Sequence, residues 1–553
     1  MIDDLRNHPD GSVIEADLCI IGAGPAGISI AREFAKPDMA LSGLRVCLIE
    51  SGGFDFDSET ADMYVGETEG HEYYPLDVTR LRFFGGASNH WAGYCIPFNE
   101  LDFQRRDWVP DSGWPIDYTT LEPYYQRCQE LCQIGPFNYN LADALPSDLK
   151  LHDFLPEKIE GKVWQFSPPT RFGQVYRREL REAENVRVLL FANVTEIESD
   201  YTARRVIGAK LASITGNTAR VRAKTFVLAC GGLENPRLLL ASNSVQTAGL
   251  GNGRDLVGRY FMEHPEAGPA IGVVQADGAK VPWYAGFHNW GIDMMPALSL
   301  SEEVQRRHQC LAAAAGIEPL AQFQRNTGYF ALRRLFLAFR QMQMPENFTS
   351  DVWHVLTDLN DAANGTMRWL RGRHYRPSLR MGDTVRVRWR LEQAPDRDNR
   401  VVLSDERDAL GVPRIRLHWR LNEIDRHTLR VATQVMGEEL GRLGFLRLRV
   451  EDWLMDDNAP WDGDVVGAFH HMGTTRMSDD PSQGVVDSNC RVHGIENLYI
   501  AGSSVFPTGS HAMPTFTLLA LALRLADHLR GELAGRMMVR ETLMTPVVAP
   551  LVK

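Results

Sequence analysis

At 553 residues the chain is longer than one compact core supports, so two large domains or one elaborated pair are expected. Its 44% hydrophobic and 24% charged residues fit a folded soluble protein, and a net charge of −12 with a pI of about 5.8 speaks against nucleic acid as a partner. Eight scattered cysteines without a CxxC pair read as reduced, mostly buried thiols in a cytoplasmic protein, and no run of about 18 apolar residues marks a membrane span.

The opening MIDDLRNHPDGSVIEADLC is acidic and lacks the basic start and apolar core of a signal peptide. Then come an apolar run, DLCII, the turn GAGPAG and a helical ISIAREFA, which together predict strand, glycine turn and helix. Gly22 permits the tight turn, Gly24 lets backbone approach a pyrophosphate, and Gly27 lets helix and strand pack closely. A phosphate would sit on the free N–H groups of the helix start. The next apolar run, RVCLIE, ends in Glu50, an acid placed to accept from a ribose diol. Further strand-to-glycine runs recur far downstream, TFVLACGG at Thr225 to Gly232 and NLYIAGSS at Asn497 to Ser504. One sheet assembled from distant segments around a long ligand fits FAD better than NAD.

Between about 266 and 464, VRVRWRLEQ and RIRLHWRL alternate apolar and charged residues as half-solvated antiparallel strands do. RNTGYFALRRLFLAFRQMQM has the spacing of an amphipathic helix, readable also as a lid or as a contact for an electron acceptor. Trp283, Tyr284, Phe287 and Trp290 cluster, either to stack on a substrate or as core. The block FHHMGTTRM, NLYIAGSSVF, PTGSHAMPTFT then brings paired histidines at one end and a further one at the other, residues suited to proton transfer near neutral pH. A helix from Thr517 to Leu529 follows, interrupted by Arg524, and the end of the chain reads as a loosely packed extension.

GAGPAG, LRFFGGASNHWAGYCIPFNELDF (Leu81 to Phe103) and HHMGT stand in the order of the glucose–methanol–choline (GMC) flavin oxidoreductases, a family the chain resembles at both ends. DWVPDSGWPIDYTTLEPYY and EQAPDRDNRVVL resemble its sugar-oxidising branch, with pyranose oxidases and glycoside 3-oxidases or dehydrogenases. The resemblance implies an α/β fold: a discontinuous Rossmann-like FAD-binding domain (residues 1–115, 185–265 and 465–535), an α+β substrate domain on an antiparallel sheet (116–184 and 266–464), and an extension, 536–553. Gly22, Gly24, Pro25, Ala26, Gly27, Glu50 and Ser51 match the ADP-binding segment, and Gly85, Gly86, Ser88 and Asn89 the loop along flavin and pyrophosphate. His90 holds the position that in some members bonds covalently to the flavin C8 methyl; the alternative is a ring packed beside Trp91. Val194 would meet the adenine, Cys230 and Gly231 the adenosine half, Gly502 and Ser503 the ribityl and phosphate region, and Met513, Pro514 and Thr515 the flavin.

His470 matches the family's catalytic base, which takes the hydroxyl proton as a carbinol hydride passes to flavin N5, while His471 is expected to point away. The family usually has Asn or His where this chain has Met513, a side chain that is neither base nor strong donor. His511 is the candidate to replace it; otherwise His470 works alone. The implied reaction is oxidation of a CH–OH group of a sugar, glycoside or polyol. A second reading is a flavoenzyme performing another oxidation on a natural product, and a third is a flavin-binding subunit whose site has decayed. The electron acceptor stays open among O2, a quinone and a redox protein.

Overall fold

The structure, a computed structural model, describes residues 1–37, 41, 43–147, 153–275, 286–319, 328–340, 344, 348–370, 381–462 and 464–544. The apolar runs read from the sequence come together in one parallel sheet, in the order Ile2–Asp4, Val186–Leu190, Val46–Ile49, Leu18–Ile21, Thr225–Leu228, Leu498–Ile500. Every neighbouring pair in it is parallel, with Ile20 opposite both Leu48 and Val227. Of its four inner runs three are buried throughout, and Val186–Leu190 is interrupted only by half-buried Arg187, as befits parallel strands covered on both faces. The helix Pro25–Ala35 packs against the C-terminal helix Pro514–Met544, which continues past Leu529 and through the start of the expected extension; no proline stops it there.

Three further sheets surround this one. Ser12–Glu15, Thr218–Arg222, Val206–Ala212 and Asn193–Ser199 form a four-stranded sheet. The large antiparallel sheet runs Leu446–Val450, Glu266–Val274, Thr384–Leu391, Ala313–Pro319, Ile292–Leu300, Ile159–Phe166, Tyr94–Cys95, with Phe287–Asn289 beside Ile292–Leu300. In VRVRWRLEQ one face is core, Val385, Val387 and Trp389 being fully buried, and the other presents Arg386, Arg388 and Arg390. RIRLHWRL also forms a strand, Pro413–Trp419, but in a separate small sheet, antiparallel to Arg400–Arg407 and parallel to Glu67–Gly70.

The predicted amphipathic helix is present as Gly328–Arg340, followed by the helices Phe348–Thr357 and Leu359–Leu370. Of the aromatic cluster, Trp283 and Tyr284 lie outside the described residues, Phe287 is core, and Trp290 is packed against the core with a left-handed backbone (φ 51°). All eight cysteines are unpaired, seven of them buried. Among the described residues no helix is long and apolar enough to cross a membrane.

Long-range polar contacts lock the loop after Asn99 to both ends of the site. Arg106 Nη1 and Nη2 donate to Glu392 at 2.8 and 2.6 Å, both side chains being fully buried, and the backbone N–H of Ala312 adds a bond at 3.1 Å. Ser510 Oγ donates to Asp102 at 2.7 Å, and Thr508 Oγ1 donates to the Asp102 carbonyl at 2.9 Å. Burial pushes the Asp102 carboxyl up to about 6, with the Glu392 charge adding to it. Arg106→Met strands the Glu392 charge in the core and is expected to cost about 3–5 kcal/mol, whereas Arg106→Met combined with Glu392→Met should lose far less. Urea denaturation of the three proteins measures the difference.

Candidate functional site

A cavity of about 590 Å³ opens between the parallel and the large antiparallel sheets, lined by residues from both. At its N-terminal end the chain leaves the strand Leu18–Ile21 through Gly22 in a left-handed turn (φ 104°), where a Cβ would lie 2.6 Å from the Ala229 carbonyl. A Cβ on Gly27 would lie 1.9 Å from the Gly22 carbonyl, so that glycine serves helix–turn packing and does not line the cavity. Gly24, Pro25 and Ala26 do line it, and the helix they open has no side-chain cap, so its first-turn N–H groups are left for a ligand. Glu50 receives the N–H groups of Ala23 at 3.1 Å and Gly52 at 3.0 Å; burial raises its pKa and these bonds oppose the shift.

Ser51, Gly86, Ser88, His90, Trp91, Val194, Cys230, Gly231, Gly502 and Ser503 also line the cavity. Gly85 and Asn89 stand behind that wall: Gly85 is left-handed (φ 103°) and Asn89 Nδ2 donates to the Phe84 carbonyl at 3.1 Å. His90 is exposed on the wall, its pKa lowered by burial of part of the ring and by Arg171. Behind the nucleotide end Glu234 accepts from Arg82 at 3.1 Å, Arg80 at 3.4 Å and Arg237 at 2.9 Å, and these cations hold its carboxyl down at about 2 against the effect of burial. The second helix N-terminus, Met513–Pro514–Thr515, opens onto the same space and directs its positive dipole end there. A glycine turn, two helix starts, the first of them without a side-chain cap, and a buried terminal acid around one space are the donor set an adenine dinucleotide requires.

The polar wall on the antiparallel-sheet side was not legible as a site. Glu266 accepts from Arg390 at 2.8 Å and from Arg388 at 3.4 Å; all three residues line the cavity, as do Tyr74, Tyr94 and Phe469. His470 faces them. Its Nδ1 lies 2.9 Å from Nδ1 of His264, whose Nε2 lies 3.2 Å from the Gly509 carbonyl. Burial, then His264 and Arg390, push the His470 pKa well below the usual imidazole value, and burial brings His264 down to about 4. His471 also lines the cavity, contrary to the expectation that it points away, but its Nε2 is engaged 2.9 Å from the Tyr73 hydroxyl, and burial lowers it to about 3.

The structure does not bring His511 to the cavity wall. Its ring is buried, with Nε2 3.3 Å from Ser299 Oγ, Nδ1 without a partner and the pKa brought down by burial to about 4. Ser510 before it has a left-handed backbone (φ 55°) and ties its hydroxyl to Asp102, which sets the direction of the next residue. Met513 does line the cavity, so that point of the wall carries a thioether in place of an amide or imidazole. His264 and Glu263 belong to no motif, and the sequence gives no signal for them beyond a histidine before a proline.

A family model described as FAD dependent oxidoreductase matches residues 17–248, and one described as GMC oxidoreductase matches 395–522. The chain is 22% identical to the fructose dehydrogenase large subunit of Gluconobacter japonicus over 94% of this chain and 98% of that one. It is 27% identical to paromamine 6'-oxidase of Streptomyces fradiae over 94% and 92% of the two chains. Among solved structures, a formate oxidase superposes with a TM-score of 0.54 at 17% identity, over 95% of this chain and 99% of that one, a likeness of fold. With the cofactor cradle, both family segments and near full-length relatives in place, the chain belongs to the GMC oxidoreductases and is an FAD-dependent enzyme.

Proposed function

We propose that the enzyme oxidises a CH–OH group of a sugar, glycoside or related polyol to the carbonyl, with His470 as the base. The observation that carries this reading is a neutral, half-buried imidazole on the cavity wall that also carries a sheet face of paired charges. A neutral alcohol gives up hydride reluctantly, and an incipient alkoxide does so readily, so a base on the hydroxyl lowers the barrier. The proton passes from the substrate oxygen to the free nitrogen of His470 while the carbinol C–H bond leaves with its electron pair. FAD, when bound, supplies the acceptor of that hydride, its N5. Arg388, Arg390 and Glu266 provide donors and acceptors for neighbouring hydroxyls, and Trp91, Tyr94 and Phe469 provide flat walls against a sugar ring. The names of the fructose dehydrogenase and paromamine 6'-oxidase relatives support a carbohydrate-like substrate.

The division into an FAD-binding and a substrate-binding part, with its boundaries, and a cytoplasmic home belong to the same proposal. Met513 favours a second reading, a tailoring oxidation of a natural product, in which the substrate brings its own polar group to that place. A panel of glycosides, polyols and amino sugars mixed anaerobically with the holoenzyme separates the two, since the preferred class bleaches the flavin fastest. Readmitting air or adding a quinone then distinguishes the acceptors. Acid precipitation reads His90: colour held in the pellet establishes a bond to the flavin, and complete release establishes a non-covalent contact.

His470→Ala should slow flavin bleaching by about 10²–10⁴-fold with FAD content unchanged; bleaching at the wild-type rate would remove His470 from its role. Because the His470 pKa lies well below the usual imidazole value, its basic form is already complete where free imidazole titrates. The rate of bleaching is therefore expected to stay flat as pH falls through about 6.5 and to drop only in more acidic solution, measured by stopped flow across the pH range.

A further inference from the structure

Resting on the assignment of His470 as the base, we infer that His264 is the residue that makes it one, by holding the His470 proton on Nδ1 so that Nε2 presents a lone pair to the substrate. The deduction uses only which atoms can donate. A carbonyl oxygen only accepts, so the bond to Gly509 puts the His264 proton on Nε2. A neutral imidazole carries one N–H, which leaves His264 Nδ1 as an acceptor. Its partner at 2.9 Å is His470 Nδ1, which must then be the donor. The single proton of neutral His470 is thereby used, and Nε2 is left bare. The other His470 tautomer would set two lone pairs against each other inside the protein, a loss of the bond plus the cost of burying both acceptors.

Both rings are held in this relation by their own backbones. Glu263 Oε1 accepts the N–H of His264 at 2.9 Å and of His470 at 2.6 Å, so one carboxylate fixes the two main chains that carry the pair. A Cβ on Gly509 would come within 3.0 Å of Met472 and 3.5 Å of His264 Nε2, so the carbonyl that sets the first proton is itself packed in place. The charged and titratable groups facing the pair are Glu263, Glu266, Glu392 and His511 toward His264, and Arg390 and His471 toward His470. The relay ends at the Gly509 carbonyl, which takes no proton. A proton accepted at His470 Nε2 is shared with His264 through Nδ1 but leaves only by the cavity. His264 touches neither the cavity nor a substrate in it, so it is a positioning residue.

Three variants and one spectrum test this in the FAD-loaded enzyme. Histidine-selective 15N NMR of the wild type, with the His470 signals identified by their loss in His470→Gln, is expected to show His470 protonated at Nδ1 and bare at Nε2. A ring protonated at Nε2 would overturn the inference. His264→Leu removes the acceptor and should slow anaerobic bleaching by about 10²–10⁴-fold, with KM and FAD content little changed. His264→Asn, whose Oδ1 can stand where Nδ1 stood, should recover at least about tenfold of that loss. Bleaching by His264→Leu within about threefold of wild type, or an Asn variant no faster than the folded Leu variant, would defeat the inference. If the Leu variant fails to bind FAD, the wild-type spectrum and the Asn variant still decide it. An active His470→Ala would defeat the base assignment itself, whereas an inactive His470→Ala beside an unaffected His264→Leu would defeat only the role of His264.

Discussion

The carboxylate of Glu263 holds together the part of the molecule where chemistry is proposed. It is fully buried, a costly place for a charge unless its lone pairs are used. Here several donors use them, among them the backbone N–H groups of His264 and His470 and the Tyr73 hydroxyl, whose own oxygen meets His471. Burial raises its pKa to about 7, and the donors oppose the rise. The carboxylate thereby ties the chain entering the antiparallel sheet to a turn contributed by a distant stretch. That turn is unfavourable by itself. Phe469 has a left-handed backbone (φ 63°), which a bulky residue seldom adopts, and it persists between the bond to the next N–H and the Tyr74 ring packed edge-on at 4.8 Å.

Charge is distributed around the cavity by the same logic. The imidazoles that face or support it are neutral because burial penalises their charged forms. The permanent charges are confined to paired groups on the walls, Arg388 and Arg390 with Glu266 on one side and Arg80, Arg82 and Arg237 with Glu234 on the other. Such buried pairs add little net stability, since desolvation offsets their attraction, but they fix side chains that would otherwise sweep through the space. The two helix N-termini add partial positive charge to the same space without a titrating group.

What was legible in the sequence was what depends on neighbours in sequence. The strand–Gly22–helix unit and the strands ending at Ile49, Leu228 and Ile500 follow from local spacing, and each was found where expected; Met513 stood out only through the family resemblance, and its side chain lines the cavity. Arg388 and Arg390 read as the wet face of an alternating strand, because alternation distinguishes the two faces but does not say whether water or a cavity covers the second. His264 was invisible for a deeper reason: its meaning lies in a contact with His470 made only by the fold. His511 shows the reverse failure, a histidine at a promising place whose direction is set by the left-handed Ser510.

The parallel sheet draws its strands from residues 2–4, 18–21, 46–49, 186–190, 225–228 and 498–500. Its last member therefore leaves the ribosome about 270 residues after its sheet neighbour Thr225–Leu228. At about 5–20 residues per second, a ribosome spends roughly a quarter of a minute to a minute between those two strands. Throughout that interval Thr225–Leu228 presents an open, apolar parallel edge, the kind of surface that invites mispairing. The glycine turn can fold early around a nucleotide, yet the second helix N-terminus and His470 arrive only with the final stretch. The nucleotide and substrate walls of the cavity are thus complete in sequence before the strand and helix that close it, Leu498–Ile500 and Pro514–Met544, have been made.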